Sequence, residues 1–485
     1  DEMGIIQTLG MWKERIKRMF KGNIKNEFGV TGITSNAMED AITDWMDVYQ
    51  GKASWVDHTK GIKTIKFAKA VCSETARLTN LALGITFDGS RKDYMTEWCE
   101  RAIMPNLRRW VEYGCASGTI IIKPNGVGAD FVTPDRFEIV GKDGNGLIAG
   151  IIFEDRYREN DKYYTKQEYH RFFDAKVNYG DGDYKSVKYY QISNRAYVSS
   201  NSGELGKEIE LSQTKWNTLL PDVSITTKNE VGLNGMMFGV LRMPAANDID
   251  VDSPLGMAIY SDAMEELKDL DIAYSRYSEE VKDSRALELI DRRLVREPGY
   301  KVNEEVELDL PKHFIPVSGE GDQEFYQAVE RPLKVDERIK GINAQLSYIG
   351  YKCGYSNGYF AFDQKTGMVT ATQVESDDRR TIQLIKDIRD ALQVCLNQVF
   401  YAQSVFADLY NLAPVGNYTA NYAFGDITYN FEEDKVHHYN LAVRGIYPWE
   451  EYYVKFLKYS REEAKALIEQ AKSENQADGI EYDEE

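Results

Sequence analysis

Apolar positions recur along the chain with two different periods, and the changes between them divide it. Over residues 3–21, Ile5, Ile6, Leu9, Trp12, Ile16 and Met19/Phe20 return at three- and four-residue steps, the spacing of one helix face. Lys13, Arg15, Lys17, Arg18 and Lys21 lie opposite. Such a basic amphipathic helix either packs on the acidic body of its own chain or lies on a membrane or an acidic partner. Met3-Gly4-Ile5-Ile6-Gln7-Thr8 also fits the myristoylation pattern, which is short enough to arise by chance and carries no weight.

Residues 37–115 predict mostly helix, with Ala68, Val71, Ala76, Leu78, Leu81 and Ala82 as a core face. From Ser117 to about Leu241, short runs of Tyr, Ile, Val and Phe broken by turns predict an antiparallel sheet. Within it, 119–122 reads as a buried strand. Residues 137–140 and 147–154 read as a hairpin about Asp143-Gly144-Asn145-Gly146, continued by 163–173 and 188–198. Asp181-Gly182-Asp183 lacks calcium-loop spacing and reads as a solvated turn.

A long helix is expected from Ser253, a fitting N-cap with Pro254 at the first helical position, to about Ser284. Met257, Tyr260, Met264, Leu267, Leu270, Tyr274, Tyr277 and Val281 form its apolar stripe, and the rest is rich in Asp and Glu. Residues 286–333 then read as a short β-containing segment punctuated by Pro298, Pro311, Pro316 and Pro332. A second helix spans 334–351. The glycine- and aromatic-rich 354–362 reads as a mobile loop, and a longer helix covers about 371–412 with Ile385, Ile388, Leu392, Cys395, Val399 and Phe406 inward. Residues 425–431 alternate like a strand, 432–473 are helical and highly charged, and 478–485 form an acidic tail.

Composition narrows the function more than the fold. No stretch approaches the roughly 18–20 apolar residues of a membrane helix. Five scattered cysteines form no C-x-x-C pair, which argues against zinc and against a disulfide framework. The net charge of −19 opposes tight phosphate binding. Such a chain either never meets nucleic acid or surrounds it without sticking. There is no G-x-x-x-x-G-K-[ST] loop and no G-x-S-x-G elbow. Cys115 reads as a small buried thiol, and His437 and His438, adjacent on a helix, point about 100° apart. With 78 acidic residues, any glycosidase-like pair would be arbitrary. The expectation is therefore no catalytic site, no cofactor and no metal.

Four stretches resemble the portal proteins of tailed bacteriophages, particularly of phages infecting Gram-positive hosts. They are Ser253-Pro254-Leu255-Gly256 with the acidic 262–271 run, the 354–362 loop, Thr370-Ala371-Thr372-Gln373-Val374-Glu375-Ser376, and the 426–434 run Asp-Ile-Thr-Tyr-Asn-Phe-Glu-Glu-Asp. The third is close to that family's T-A-T-E-V-x-S, with Gln373 in place of the usual Glu. The first half of the chain is similar only in length and in its helix-then-sheet order.

The resemblance implies an α+β portal-type fold. Its parts would be an N-terminal helix (1–25), a wing (26–250), a stem (253–285 and 334–352), a clip (286–333), a tunnel loop (354–370), a long wing helix and strand (371–430), a helical crown (431–475) and a tail (476–485). It further implies a homo-oligomer that closes as a ring of about twelve subunits at one capsid vertex of the virion, assembled in the host bacterial cytoplasm. Its partners would be double-stranded DNA held without sequence specificity, the terminase large subunit, the head–tail adaptor, and the major capsid and scaffolding proteins, with no membrane. Tyr355, Tyr359, Phe360, Lys365 and Met368 would face DNA from the tunnel loop. Glu265, Glu266, Asp269, Glu279 and Glu280 would line the stem. Two other readings are a capsid or connector protein that is not a channel, and a carboxylate-based hydrolase with a β-rich domain.

Overall fold

Strand β2 (119–124) has no exposed residue, and the fold is most simply built outward from it. The computed structural model describes residues 28–178, 184–201, 204–225, 233, 235–283, 287–291, 314–317, 326–329, 334–361, 371–425, 431–444, 447–457 and 459–477. The expected helix at 3–21, the turn at 181–183 and the tail at 478–485 lie outside them. The chain forms two units, residues 1–423 and 424–485.

The first unit opens with helices α1 (Asn36–Gln50), α2 (Phe67–Thr79), α3 (Lys92–Ala102) and α4 (Met104–Ser117), with strand β1 (Gly84–Asp88) after α2. Ser35 caps α1 by accepting the Met38 amide, and Gly51 ends it in the left-handed conformation. Helix α4 stops at Gly118, which also has positive φ. A Cβ there would strike the Gly256 carbonyl, so only glycine lets the two backbones meet. The chain then enters β2, which pairs antiparallel with β3 (Ala129–Val132) and with β10 (Gly239–Arg242).

A larger antiparallel sheet follows, in the order β4 (Phe137–Lys142), β5 (Ile148–Glu159), β6 (Lys162–Asn178), β7 (Tyr184–Ser199) and β8 (Lys207–Ile209), with β9 (Asp222–Ile225) also pairing β7. The hairpin about 143–146 is present. The Asp143 carboxylate accepts the Asn145 and Leu147 amides, and Gly146 takes positive φ. Cross-strand neighbours Tyr157 and Tyr164 stack at 4.7 Å, with Trp216 edge-on.

The long helix expected from Ser253 begins ten residues later, as α5 (Met264–Asp283). Residues 254–260 cannot wind because the core uses their backbone and side chains separately. The Gly256 amide donates to Thr119 Oγ1, the Ile259 amide donates to the Cys115 carbonyl, and the Tyr260 hydroxyl reaches the Trp45 carbonyl at 2.8 Å. Ser253 is buried and receives the Leu255 amide. Next come β11 (Leu287–Asp291), β12 (Phe314–Val317) and β13 (Tyr326–Val329), where β11 is central, parallel to β12 and antiparallel to β13. Helix α6 (Val335–Lys352) follows.

Helix α7 (Ala371–Leu409) carries the stripe read from its sequence. Ile385, Ile388, Leu392, Cys395 and Val399 are at most 1% exposed. Each buried Ile, Leu or Val side chain contributes about 1.5–3 kcal/mol. Phe400 sets its edge to Phe87 of β1 at 4.9 Å. Strand β14 (Thr419–Ala423) pairs antiparallel with β1; of the strand expected at 425–431, residues 426–430 lie outside the described residues, and Phe431 starts a helix. The Tyr422 hydroxyl of β14 donates to Asn397 Oδ1, tying the strand to α7.

The second unit holds α8 (Phe431–Val443), α9 (Trp449–Leu457) and α10 (Arg461–Ala477). Ala442, Tyr452, Phe456 and Ala464 are its buried residues among those described. Ser460 and Glu463 form a reciprocal cap on α10, each accepting the other's amide. With 46% helix and 22% strand, the chain is α+β.

Candidate functional site

The two helices read as a stem lie side by side. Helix α5 is rooted in the core by Leu267 and Leu270 and by a buried carboxylate, Asp271. That carboxylate accepts the Trp55 indole N–H and the Ile65 amide, each at 3.0 Å. Ser275 accepts the Lys63 amide at 2.8 Å. Burial pushes the Asp271 pKa up, against the pull of these donors. Beyond Ser275 the helix leaves the core, and Val281 is 45% exposed.

The five stem carboxylates separate into two groups. Glu266 pairs with Lys352 at 2.5 Å and Glu280 with Arg338 at 2.8 Å, so both point at α6. Glu280 also accepts the Lys334 amide, and these donors, the amide first, hold its pKa below the ordinary range. For Glu266, burial pushes the pKa up, but Lys352 more than offsets it. Glu265, Asp269 and Glu279 are exposed instead. Asp269 and Glu280, eleven residues apart, stand only about 20° apart about the axis, so the division follows from where α6 supplies Lys352 and Arg338 and not from the helix face alone. Of the five carboxylates expected to line the stem, Glu266 and Glu280 are thus engaged by the second helix while remaining partly exposed.

Of the expected tunnel loop, 354–370, residues 354–361 are described. Residues 353–361 fold into consecutive turns, with Gly354 and Gly358 at positive φ. Tyr355 is fully buried, its hydroxyl 2.7 Å from Thr75 Oγ1. Burial pushes this phenol far above its ordinary pKa. Tyr355, Tyr359 and Phe360 pack mutually with ring centroids 4.8–4.9 Å apart, and Phe67 adds an edge contact to Phe360. Tyr359 donates to Glu74, which Arg77 holds in place. Tyr355 is therefore a core residue, because its ring gains more from this aromatic cluster than from solvent. Tyr359 is exposed and Phe360 half-buried. Lys365 and Met368 lie outside the described residues.

A charge network that the sequence did not reveal joins the two main sheets. Glu168 on β6 accepts from Lys123 of β2 at 2.7 Å and from Lys166 at 2.9 Å, and lies 2.5 Å from His170 Nε2. His170 Nδ1 is 2.7 Å from the Tyr190 hydroxyl, which receives the Met237 amide. That phenol therefore donates to Nδ1, and Nε2 carries the imidazole proton toward Glu168. Burial disfavours every charge here, yet the two lysines hold the Glu168 pKa well below the carboxylate range. Burial pushes His170 down, toward the neutral form. A Tyr–His–Glu relay could move protons, but His170 is 1% exposed and Glu168 8% exposed, so a solute does not reach them. The arrangement fixes one sheet against the other.

Other candidates resolve simply. Cys115 is wholly buried, and burial raises its thiol pKa far above the ordinary value. His438 packs against Tyr447 and Phe456. Among the described residues no three His, Cys, Asp or Glu side chains are grouped to hold a metal ion, and no helix is long and apolar enough to cross a membrane. Arg379, Arg380 and Lys386 cluster on α7, where Arg380 lies 3.8 Å from the Tyr351 ring centroid. No protein-family model matches the chain, and no curated protein matches it in sequence.

Proposed function

We propose that this chain is one subunit of a ring of the tailed-phage portal kind, through which double-stranded DNA passes without being read. The observation that carries the reading is the exposed carboxylate row Glu265, Asp269 and Glu279 on a helix that emerges from its own core. Alongside it, Tyr274, Val281, Tyr348 and Tyr351 are large side chains exposed on the same helix pair. In a ring, such side chains pack between neighbouring subunits while the carboxylates face the axis. A duplex repelled over the roughly 8–10 Å Debye length stays mobile, whereas lysine-lined walls would release counterions and hold it. The net charge of −19 and the four stretches of family resemblance support the same reading. Terminase, the head–tail adaptor, and coat and scaffolding proteins would then be its partners, at a capsid vertex. In this reading the fully buried Tyr355 supports the subunit from within.

Electron micrographs of the concentrated full chain test the assembly, with rings around an axial pore as the expected result. Glu265→Lys/Asp269→Lys/Glu279→Lys rings should retain linear duplex DNA at low salt and release it as salt rises. Persistent monomers, or particles without a pore, would refute the proposal.

A further inference from the structure

A cavity of about 510 Å³ opens between α1, α4 and the link from β3 to β4. Its apolar floor includes Ile42 and Met46 of α1, Trp110 of α4 and Phe131 of β3, with the Trp110 and Phe131 rings stacked 5.1 Å apart. Among the described residues its rim carries the carboxylates Glu39, Asp47, Asp135 and Glu138 together with Arg136. An apolar floor inside an anionic rim suits a helix with an apolar face and cationic flanks.

The chain has such a segment and leads it to this place. Residues 3–21 predict a helix with Leu9, Trp12 and Ile16 on one face and five Lys and Arg residues opposite. The described chain begins at Phe28, whose ring lies 5.3 Å from that of Tyr169. It then runs beside β4, where the Ile33 amide donates to the Ile139 carbonyl. Gly32 lies so close to Glu138 of the rim that a Cβ would collide with it, and Thr34 is part of the cavity wall. The six residues between Lys21 and Phe28 let those two positions lie up to about 25 Å apart when extended. A cavity of this volume accepts several large side chains from one helix face, with the helix backbone resting on the rim.

We infer that the groove between α1 and the β3–β4 link is the docking site of the chain's own basic N-terminal segment, residues 3–21. Its apolar face, with Leu9, Trp12 and Ile16, matches the cavity floor, and its lysines and arginines match the rim in charge. This inference stands apart from the ring proposal and holds whether or not the chain assembles.

Zero-length carbodiimide coupling of the full chain, read by mass spectrometry on a mixture of ordinary and ¹⁵N-labelled copies, tests it directly. Lys13, Lys17 or Lys21 should couple to Glu39, Asp47, Asp135 or Glu138, in isotopically pure pairs. Coupling of those lysines only to carboxylates elsewhere would overturn the site, and mixed-isotope pairs would make the occupant a second copy. Thr43→Trp obstructs the groove from an exposed position of α1. It should speed amide hydrogen exchange over residues 3–21 by about tenfold or more. Asp47→Lys/Asp135→Lys should do the same, and adding Lys13→Glu/Lys17→Glu should restore protection. Unchanged exchange in Thr43→Trp would refute the docking.

Discussion

Glu168 and Glu280 both hold ion pairs below 3 Å, yet they do different things. Glu168 is 8% exposed and neutralises two lysines inside the protein. Glu280 bridges α5 to α6 at the surface, paired with an Arg338 side chain that is 44% exposed. Desolvation makes the first set of charges mutually dependent, because removing one strands the others in a medium that cannot solvate them. Water and salt keep the second set nearly independent. The same residue types therefore specify the fold in one region and only shape a surface potential in the other.

The contrast is easiest to break at its buried end. Glu168→Ala should cost about 3–5 kcal/mol by leaving Lys123 and Lys166 buried without their counter-charge, as read from urea denaturation. Lys123→Met/Lys166→Met/Glu168→Leu should cost less than that single change; a larger loss would mean the network is not held together by mutual neutralisation. Asp271→Ala lies between the two regions and leaves the Trp55 and Ile65 donors unmatched, for about 1–3 kcal/mol.

Acid should act through the same buried groups. The folded pKa of His170 is depressed below its unfolded value of about 6.5, so the unfolded chain takes up the proton first and stability falls as pH drops below that value. Glu168, also depressed, adds a second loss as pH falls below its unfolded value of about 4.3. His170→Gln should flatten the melting-temperature profile between about pH 7 and 5 and leave the lower limb in place. At the surface, Glu280→Gln should leave the melting temperature unchanged within error; a clear drop would show that the α5–α6 pairing is part of the cooperative core.

What could be read from the sequence was whatever a local pattern dictates. The 143–146 hairpin needs only its Asp and Gly residues, and the stripe of α7 needs only its period. The start of α5 was misread because Ser253-Pro254 is a good helix opening by itself, while the competing bonds to Thr119, Cys115 and Trp45 come from distant parts of the chain. The burial of Tyr355 was not legible because its partner Thr75 is 280 residues away in sequence. The alternating Lys166, Glu168 and His170 look like a solvent-facing strand edge. The one available clue was Lys123, a cation closing the fully apolar run Ile120-Ile121-Ile122.

The pairing of β1 with β14 sets a timetable for synthesis. Gly84 meets Ala423 and Asp88 meets Thr419, so an early strand waits for one made near the other end of the chain. At about 5–20 residues per second on the ribosome, that interval lasts roughly 15–70 s. Throughout it, Phe87 and Trp98 lack Phe400, their partner from α7, and offer a sticky surface to whatever is nearby. Production of this protein should therefore depend on chaperone supply more than its final stability would suggest.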